Sequence, residues 1–156
     1  ASGGITFNGD TASANALDDY EEGNWTPNYS TEGGGESITY DGLTSGKYIK
    51  VGQMVYITGY IRTDAFSGGS SYVYLGGFPF TSATGNAFKS FIGVSRSTTW
   101  GGDFPSACEV VDGGTKAFIK YRTSANGGSD NIVQSDMATG GNSNVLIFSG
   151  TYKSSS

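Results

Sequence analysis

Short stretches of alternating apolar and polar residues run along this chain, and no window repeats its apolar residues with a helical period. In the clearest stretch, residues 53–62, the side chains of Val55, Ile57 and Ile61 fall on one side. The intervening positions form a second, amphipathic face made of Met54, Tyr56, Thr58 and Tyr60. Alternation with a period of two is typical of a half-buried strand. We predict that the first face packs in a core and that the second meets a neighbouring chain.

The same pattern predicts further strands over residues 72–75, 109–111, 116–121 and 145–152, and one that contains Phe88, Ile92 and Val94. Dipeptides with glycine predict hairpin loops between strands, because glycine readily adopts a positive φ. They occur at residues 41–42, 51–52 and 112–113. Roughly eight to ten short strands at this spacing favour an antiparallel β-sandwich of jelly-roll type. The predicted fold class is therefore all-β.

The N-terminal part of the chain differs from the rest. Residues 13–22 (SANALDDYEE) are followed by Gly23, which predicts one or two helical turns that end at the glycine. Residues 1–12 carry few apolar side chains, and we expect them to be an extended connector from an upstream shaft. Residues 13–156 are then a single domain.

Composition and charge narrow the possible partners. Of the 156 residues, only 36% are hydrophobic although 13% are aromatic, so we expect identical chains to share apolar faces and complete the core. Nine basic residues stand against 14 acidic ones, for a net charge of -5. Nucleic acid and anionic lipid are disfavoured as partners, because both require a basic surface. The longest aliphatic or aromatic run, residues 145–148, is too short for membrane insertion.

The chain contains no histidine, which removes the usual nucleophile triads and the histidine-containing zinc sites. Cys108 therefore has no histidine to activate it, and we predict a small buried hydrophobe. Carboxylates could serve a glycosidase, but the sequence pairs none of those in turn-like stretches: Asp103, Glu109, Asp112, Asp130 and Asp136. We predict a protein that is not an enzyme and has no cofactor.

Four acids are crowded at Asp18, Asp19, Glu21 and Glu22. Their repulsion requires compensation, and a Ca²⁺ ion or a hydrogen-bonded elbow with backbone N–H partners would each provide it. The spacing is not that of an EF-hand loop, so we predict no metal ligands. The sequence alone does not decide between an ion and hydrogen bonds at these acids.

Two polar loops combine an aromatic residue with short polar side chains, the composition of adaptable binding loops. They span residues 96–104 (RSTTWGGDF) and 123–131 (TSANGGSDN). A sugar ring can stack on an aromatic face while its hydroxyls bind carboxylates and amides. The predicted carbohydrate-binding residues are Trp100, Asp103, Arg96, Asn126, Asp130 and Asn131.

Residues 16–27 (ALDDYEEGNWTP) resemble the LDDYEEGTWTP element in C-terminal regions of bacteriophage tail-fibre and related virion proteins. Asn24 replaces the usual threonine. Weaker matching pieces occur in the same order at residues 4–8, 46–52, 77–82 and 148–153, whereas residues 86–144 match nothing in that family.

The resemblance implies a homotrimeric β-sandwich at the extracellular tip of a virion tail fibre, attaching the phage to bacterial surface polysaccharide without catalysis. Its subunit interface is expected to include Met54, Tyr56 and Tyr60. A polysaccharide depolymerase and a purely structural cap that drives trimerisation are the alternatives.

Overall fold

The computed structural model describes residues 19–156 and shows an antiparallel β-fold. Its strands are β1 (Tyr20–Trp25), β2 (Asn28–Thr31), β3 (Glu36–Tyr40), β4 (Ser45–Val51), β5 (Met54–Gly68), β6 (Val73–Gly76), β7 (Phe91–Thr98), β8 (Ala107–Val110), β9 (Lys116–Arg122), β10 (Ser129–Asn131) and β11 (Ser143–Lys153). Two single-turn 3₁₀ helices, Asn86–Phe88 and Gln134–Asp136, are the helical segments in this part of the chain. Among residues 19–156, no helix has the length and apolar character to cross a membrane. The predicted all-β class is confirmed.

One continuous sheet supplies the architecture, with the strand order β1-β4-β5-β11-β7-β8-β9-β6-β2. Strands β1 and β2 lie at opposite ends of this order, yet only Thr26 and Pro27 separate them in the chain. The sheet therefore has to curl until its two ends meet, and its concave side encloses the core. Strand β3 pairs with the second half of β5, after the residues of β5 that pair with β4, and β10 pairs with β9.

The core follows the alternation seen in the sequence. Val55, Ile57 and Ile61 of β5 are fully buried, as are Leu146 and Phe148 of the neighbouring β11. Each such side chain contributes about 1.5–3 kcal/mol by leaving water. The predicted inward face of β5 is thus confirmed.

Two paired glycines allow aromatic rings to pack directly on the backbone. Gly46 of β4 lies opposite Gly59 of β5 in the register. A Cβ atom on Gly46 would overlap the Trp25 indole, and one on Gly59 would lie 2.5 Å from Phe148 Cζ. The Trp25 and Phe148 rings contact each other at 5.9 Å between centroids, so the glycine pair is part of the aromatic core.

The predicted turns are partly corrected. Val51 pairs with Met54, so the hairpin loop is Gly52–Gln53 rather than 51–52, and Gly52 has a φ of 57°. The turn at Asp41–Gly42 joins β3 to β4, which both pair with β5 and not with each other, so it is not a hairpin. The prediction at 112–113 is confirmed, because β8 and β9 pair across it.

Two element predictions are wrong. Residues 20–22 belong to β1 instead of a helix, because the strand pairs along β4 from Tyr20↔Val51 to Trp25↔Gly46. The remainder of the predicted helix and the connector at residues 1–12 lie outside the described residues. The strand that was predicted to contain Phe88, Ile92 and Val94 begins only at Phe91, and Phe88 belongs to a 3₁₀ helix.

Candidate functional site

The buried carboxylate of Asp136 organises the loop that follows β7. It accepts hydrogen bonds from the backbone N–H of Val133 at 2.9 Å and of Asp103 at 3.2 Å. The Asp136 carbonyl oxygen accepts the N–H of Gly101 at 2.7 Å, and a side chain on Gly102 would collide with the carboxylate. These contacts attach the loop to the 3₁₀ turn at Gln134–Asp136 and fix the position of Asp103.

Two of the predicted binding residues come together beside Tyr121. Asp130 of β10 is the antiparallel partner of Tyr121 in β9, and Asp103 reaches the same phenol from the loop between β7 and β8. Desolvation, followed by the negative charges of Asp103 and Asp130, raises the pKa of Tyr121. Both carboxylates are exposed, so they can accept hydrogen bonds from the hydroxyls of a ligand. We call these three residues the acidic loop cluster.

Trp100 does not belong to this cluster, which corrects the prediction that it stacks on a sugar. Its side chain is 7% exposed, and its Nε1 donates to the Val145 carbonyl oxygen at 3.2 Å. The indole also meets the Tyr29 ring edge to face at 5.8 Å. The exposed aromatic side chain of this loop is Phe104, at 53%. Trp100 buries a large apolar surface and satisfies its only donor inside the core.

The other predicted binding residues are dispersed. Arg96 lies in β7 opposite Ile147 of β11, on the outer face of the sheet. Asn126 lies at the exposed tip of the loop between β9 and β10. Asn131 follows Asp130 and pairs with Lys120, so strand alternation directs it away from the acidic loop cluster.

The crowded N-terminal acids have separate donors. Lys50 Nζ forms an ion pair with Asp19 at 2.9 Å, and the Tyr48 hydroxyl donates to Glu21 at 2.5 Å. The Tyr20 hydroxyl donates to Glu22 at 2.6 Å. Between residues 19 and 156, no three His, Cys, Asp or Glu side chains are arranged to hold a metal ion. Asp18 lies outside the described residues, and its three neighbours are compensated by side-chain donors rather than by the expected backbone N–H groups.

Cys108 lies on β8 and is buried in the hydrophobic core, which confirms the prediction of a small buried hydrophobe. Desolvation raises the pKa of its thiol to about 12. A thiol in this environment stays protonated at neutral pH and is a poor nucleophile.

An exposed group of apolar side chains covers the outer face of β1, β4 and β5. The strand register aligns Tyr20 with Val51 and Met54, and Ile49 with Tyr56. All five are at least 39% exposed, and we call them the apolar patch. The predicted interface residues Met54 and Tyr56 lie in it, whereas Tyr60 lies further along β5 and is half-buried.

The apolar patch and the acidic loop cluster lie at opposite ends of the fold. Lys153 of β11 pairs with Met54 beside the patch, and Val145 pairs with Thr98, which leads into the loop of Asp103. The 11 residues of β11 span about 35 Å at roughly 3.3 Å per residue. Contacts at one end of the sheet therefore leave the other end free.

Comparison with known proteins gives one structural likeness. No family model matches this chain, and no curated protein matches it. The fold is similar to part of the crystal structure of the Dettilon tailspike protein (gp208), with a TM-score of 0.65 and 15% sequence identity. The match covers 86% of this chain and 24% of that chain, so the chain spans about a quarter of the tailspike's length. This β-fold is therefore shared with one portion of a tailspike chain.

Proposed function

We propose that this chain is a receptor-binding domain of a phage tail fibre or tailspike, attaching the virion to bacterial surface polysaccharide without catalysis. The observation that carries the proposal is the separation of the apolar patch from the acidic loop cluster. The likeness to the Dettilon tailspike protein supports a place in a phage tail. The resemblance of residues 16–27 to a tail-fibre element supports the same assignment independently of the fold.

The two surfaces suit different partners. Asp103 and Asp130 present exposed carboxylates beside the Tyr121 phenol, a combination that recognises sugar hydroxyls through hydrogen bonds. The chain segments at Asp19 and Ser154 lie at the opposite end, because Gly52 N–H donates to the Asp19 carbonyl oxygen and Ser154 N–H donates to that of Gln53. A domain held at that end would direct the acidic loop cluster outward, toward the host.

The apolar patch supports assembly as a homotrimer. Met54 and Tyr56 are 59% and 43% exposed, although burying side chains of this size is favourable. A neighbouring copy that covers the patch would remove this surface from water. The predicted interface residue Tyr60 lies further along the same outer face, so a contact that continues along β5 would include it.

The proposal is tested with the soluble domain in a phage adsorption assay. We expect the domain to compete with virions for host cells, and we expect Asp103→Ala combined with Asp130→Ala to weaken competition by at least about tenfold. Asp112→Ala is the matched control, since it removes an exposed carboxylate from a distant turn. Competition no better than that of albumin would refute the proposal.

Oligomeric state is measured separately by light scattering. We expect a single species of three times the monomer mass and expect Met54→Glu with Tyr56→Glu to dissociate it. Leu43→Glu, which alters a 67% exposed apolar residue outside the patch, should leave the trimer intact. A wild-type domain that stays monomeric at micromolar concentration would refute the trimer, and a trimer that fails to compete would favour a structural cap.

The acidic loop cluster also favours a second candidate, a polysaccharide depolymerase. Two carboxylates near one site are the minimum equipment of a glycosidase, and Asp103 and Asp130 both act on Tyr121. Release of new reducing ends from host capsule, abolished by Asp103→Asn or Asp130→Asn, would establish this activity. Attachment without such release would exclude it.

A further inference from the structure

A groove on the outer face of β7, β8 and β9 has the dimensions of a binding site for one sugar residue. Its volume is about 390 Å³. The residues that line it include Lys89, Phe91, Ala107, Glu109 and Lys120. None of the three residues of the acidic loop cluster lines this groove, so the groove is a separate site.

Ala107 on the middle strand, β8, forms the floor of the groove. Ala107 of β8 pairs with Gly93 of β7, and Phe91 rises beside them with 65% of its surface exposed. Lys120 of β9 bounds the opposite side, two strand spacings or about 10 Å away. An exposed aromatic ring beside a shallow floor suits the apolar face of a sugar.

The charges of the groove are unbalanced. Lys89 Nζ lies 3.6 Å from Glu109 Oε1, and Lys120 Nζ lies 3.3 Å from Glu109 Oε2. One carboxylate therefore faces two ammonium groups, and the trio carries a charge of +1 in a chain whose net charge is -5. A ligand carboxylate placed between the lysines would complete the pairing, and the ammonium groups would then donate charge-assisted hydrogen bonds.

We infer that this groove binds an acidic sugar residue, with the ring against Phe91 and its carboxylate at Lys89 and Lys120. The inference rests on the proposed attachment to host polysaccharide and specifies the chemical class of the glycan. It differs from recognition by the acidic loop cluster, where the carboxylates of the protein would bind the hydroxyls of an uncharged residue of the same polysaccharide.

The test compares two hexasaccharides by isothermal titration calorimetry with the whole chain. One is a β-1,4-linked oligomer of glucuronic acid, and the other is the β-1,4-linked oligomer of glucose, which differs only in carrying an uncharged CH₂OH group in place of each carboxylate. We expect the acidic hexamer to bind at least about tenfold more tightly and expect its affinity to fall as salt is added. Equal affinity for the two oligomers, or no binding of the acidic one, would overturn the inference.

Variants assign the binding to the groove. Lys89→Gln and Lys120→Gln should each weaken binding of the acidic hexamer by about tenfold. Lys116→Gln is the matched control on the same face of β9, because Lys116 lies over the Tyr74 ring and outside the groove. Its effect should stay within about twofold.

Glu109→Gln should strengthen binding, because it removes the carboxylate that competes with the ligand for both lysines. A purely structural role of Glu109 would not produce tighter binding. Lys120 is the most buried of the three charged groups, so Lys89→Gln and Glu109→Gln decide the outcome if Lys120→Gln fails to fold. Unchanged affinity in both variants would overturn the site, while competition for adsorption would still report separately on the proposed function.

Discussion

Tyr152 and Phe80 are joined by two hydrogen bonds through a single phenol. The Tyr152 hydroxyl donates to the Phe80 carbonyl oxygen at 2.9 Å and accepts the Phe80 backbone N–H at 3.2 Å. The same ring stacks on Phe78 at 5.4 Å between centroids. The segment after β6 is thereby attached to the C-terminal strand β11.

Removing this hydroxyl should destabilise the fold. Tyr152→Phe keeps the ring but leaves the N–H and C=O of Phe80 without their partner, at an expected cost of about 1–3 kcal/mol in the free energy of unfolding. Urea denaturation measures the change. Tyr72→Phe, on an exposed ring, is the control and should cost less than about 0.5 kcal/mol. Equal stability of the two variants would contradict the structural importance of the pair.

Stability should decline at alkaline pH. Desolvation raises the pKa of Cys108 from 9.0 to about 12, and desolvation likewise raises that of Tyr152 from 10.0 to about 12. Above pH 9.0 the unfolded chain loses these protons first, so it binds fewer protons than the folded chain and the free energy of unfolding falls. The decline should continue until the folded groups ionise near pH 12.

Cys108→Ala isolates the thiol contribution. Denaturation curves of this variant should decline less than those of the wild type between pH 9.0 and 10.0, the interval in which the thiol of the unfolded chain ionises before tyrosine. A wild-type stability that is constant over this interval would show that the buried thiol does not control the response.

Trp100→Ala should unfold the domain more readily instead of selectively weakening glycan binding. The change opens a cavity beside Tyr29 and removes the donor to the Val145 carbonyl oxygen, for an expected loss of about 3–5 kcal/mol. Thermal unfolding provides the measurement. Phe104→Ala in the same loop is the control, since this ring is 53% exposed and should contribute less than about 0.5 kcal/mol.

Gly46 should not tolerate even a methyl group. Gly46→Ala would force the Trp25 indole out of place, with an expected cost of about 1–3 kcal/mol from overpacking. Gly42→Ala is a matched control, because a Cβ there has no neighbour within 4 Å. Chemical denaturation of both variants should separate them clearly, and similar stabilities would show that the indole can repack at little cost.

The parts of the fold that the sequence predicted correctly depend on local alternation. Val55, Ile57 and Ile61 point inward because successive strand residues alternate sides, whatever the partner strand is. The hairpin loop was misplaced by one residue since its position depends on the Val51–Met54 pairing and the positive φ of Gly52. The helix prediction failed at residues 20–22 because pairing with β4 overrides the weak local preference.

The sequence predicts the residues of the candidate sites less well than it predicts the strands. Asp103 and Asp130 were selected as loop residues, but their common contact with Tyr121 depends on the Asp136 hydrogen bonds and on the β9–β10 register. Trp100 was misassigned because a glycine-rich loop also allows an aromatic residue to turn inward. The groove at Phe91 was missed, although its alternation with the buried Ile92 marks an outward aromatic residue.

The hydrogen bonds of Asp19 and Ser154 to adjacent residues of one loop have a consequence for engineering. Since Gly52 and Gln53 bind the two segments, a short linker from residue 156 back to residue 19 would bridge neighbouring positions. New termini could then be opened at the exposed Asn126 loop. Such a circular permutant would keep the order of the strands in the sheet, although their order along the chain changes. Its points of fusion would move to the opposite side of the molecule.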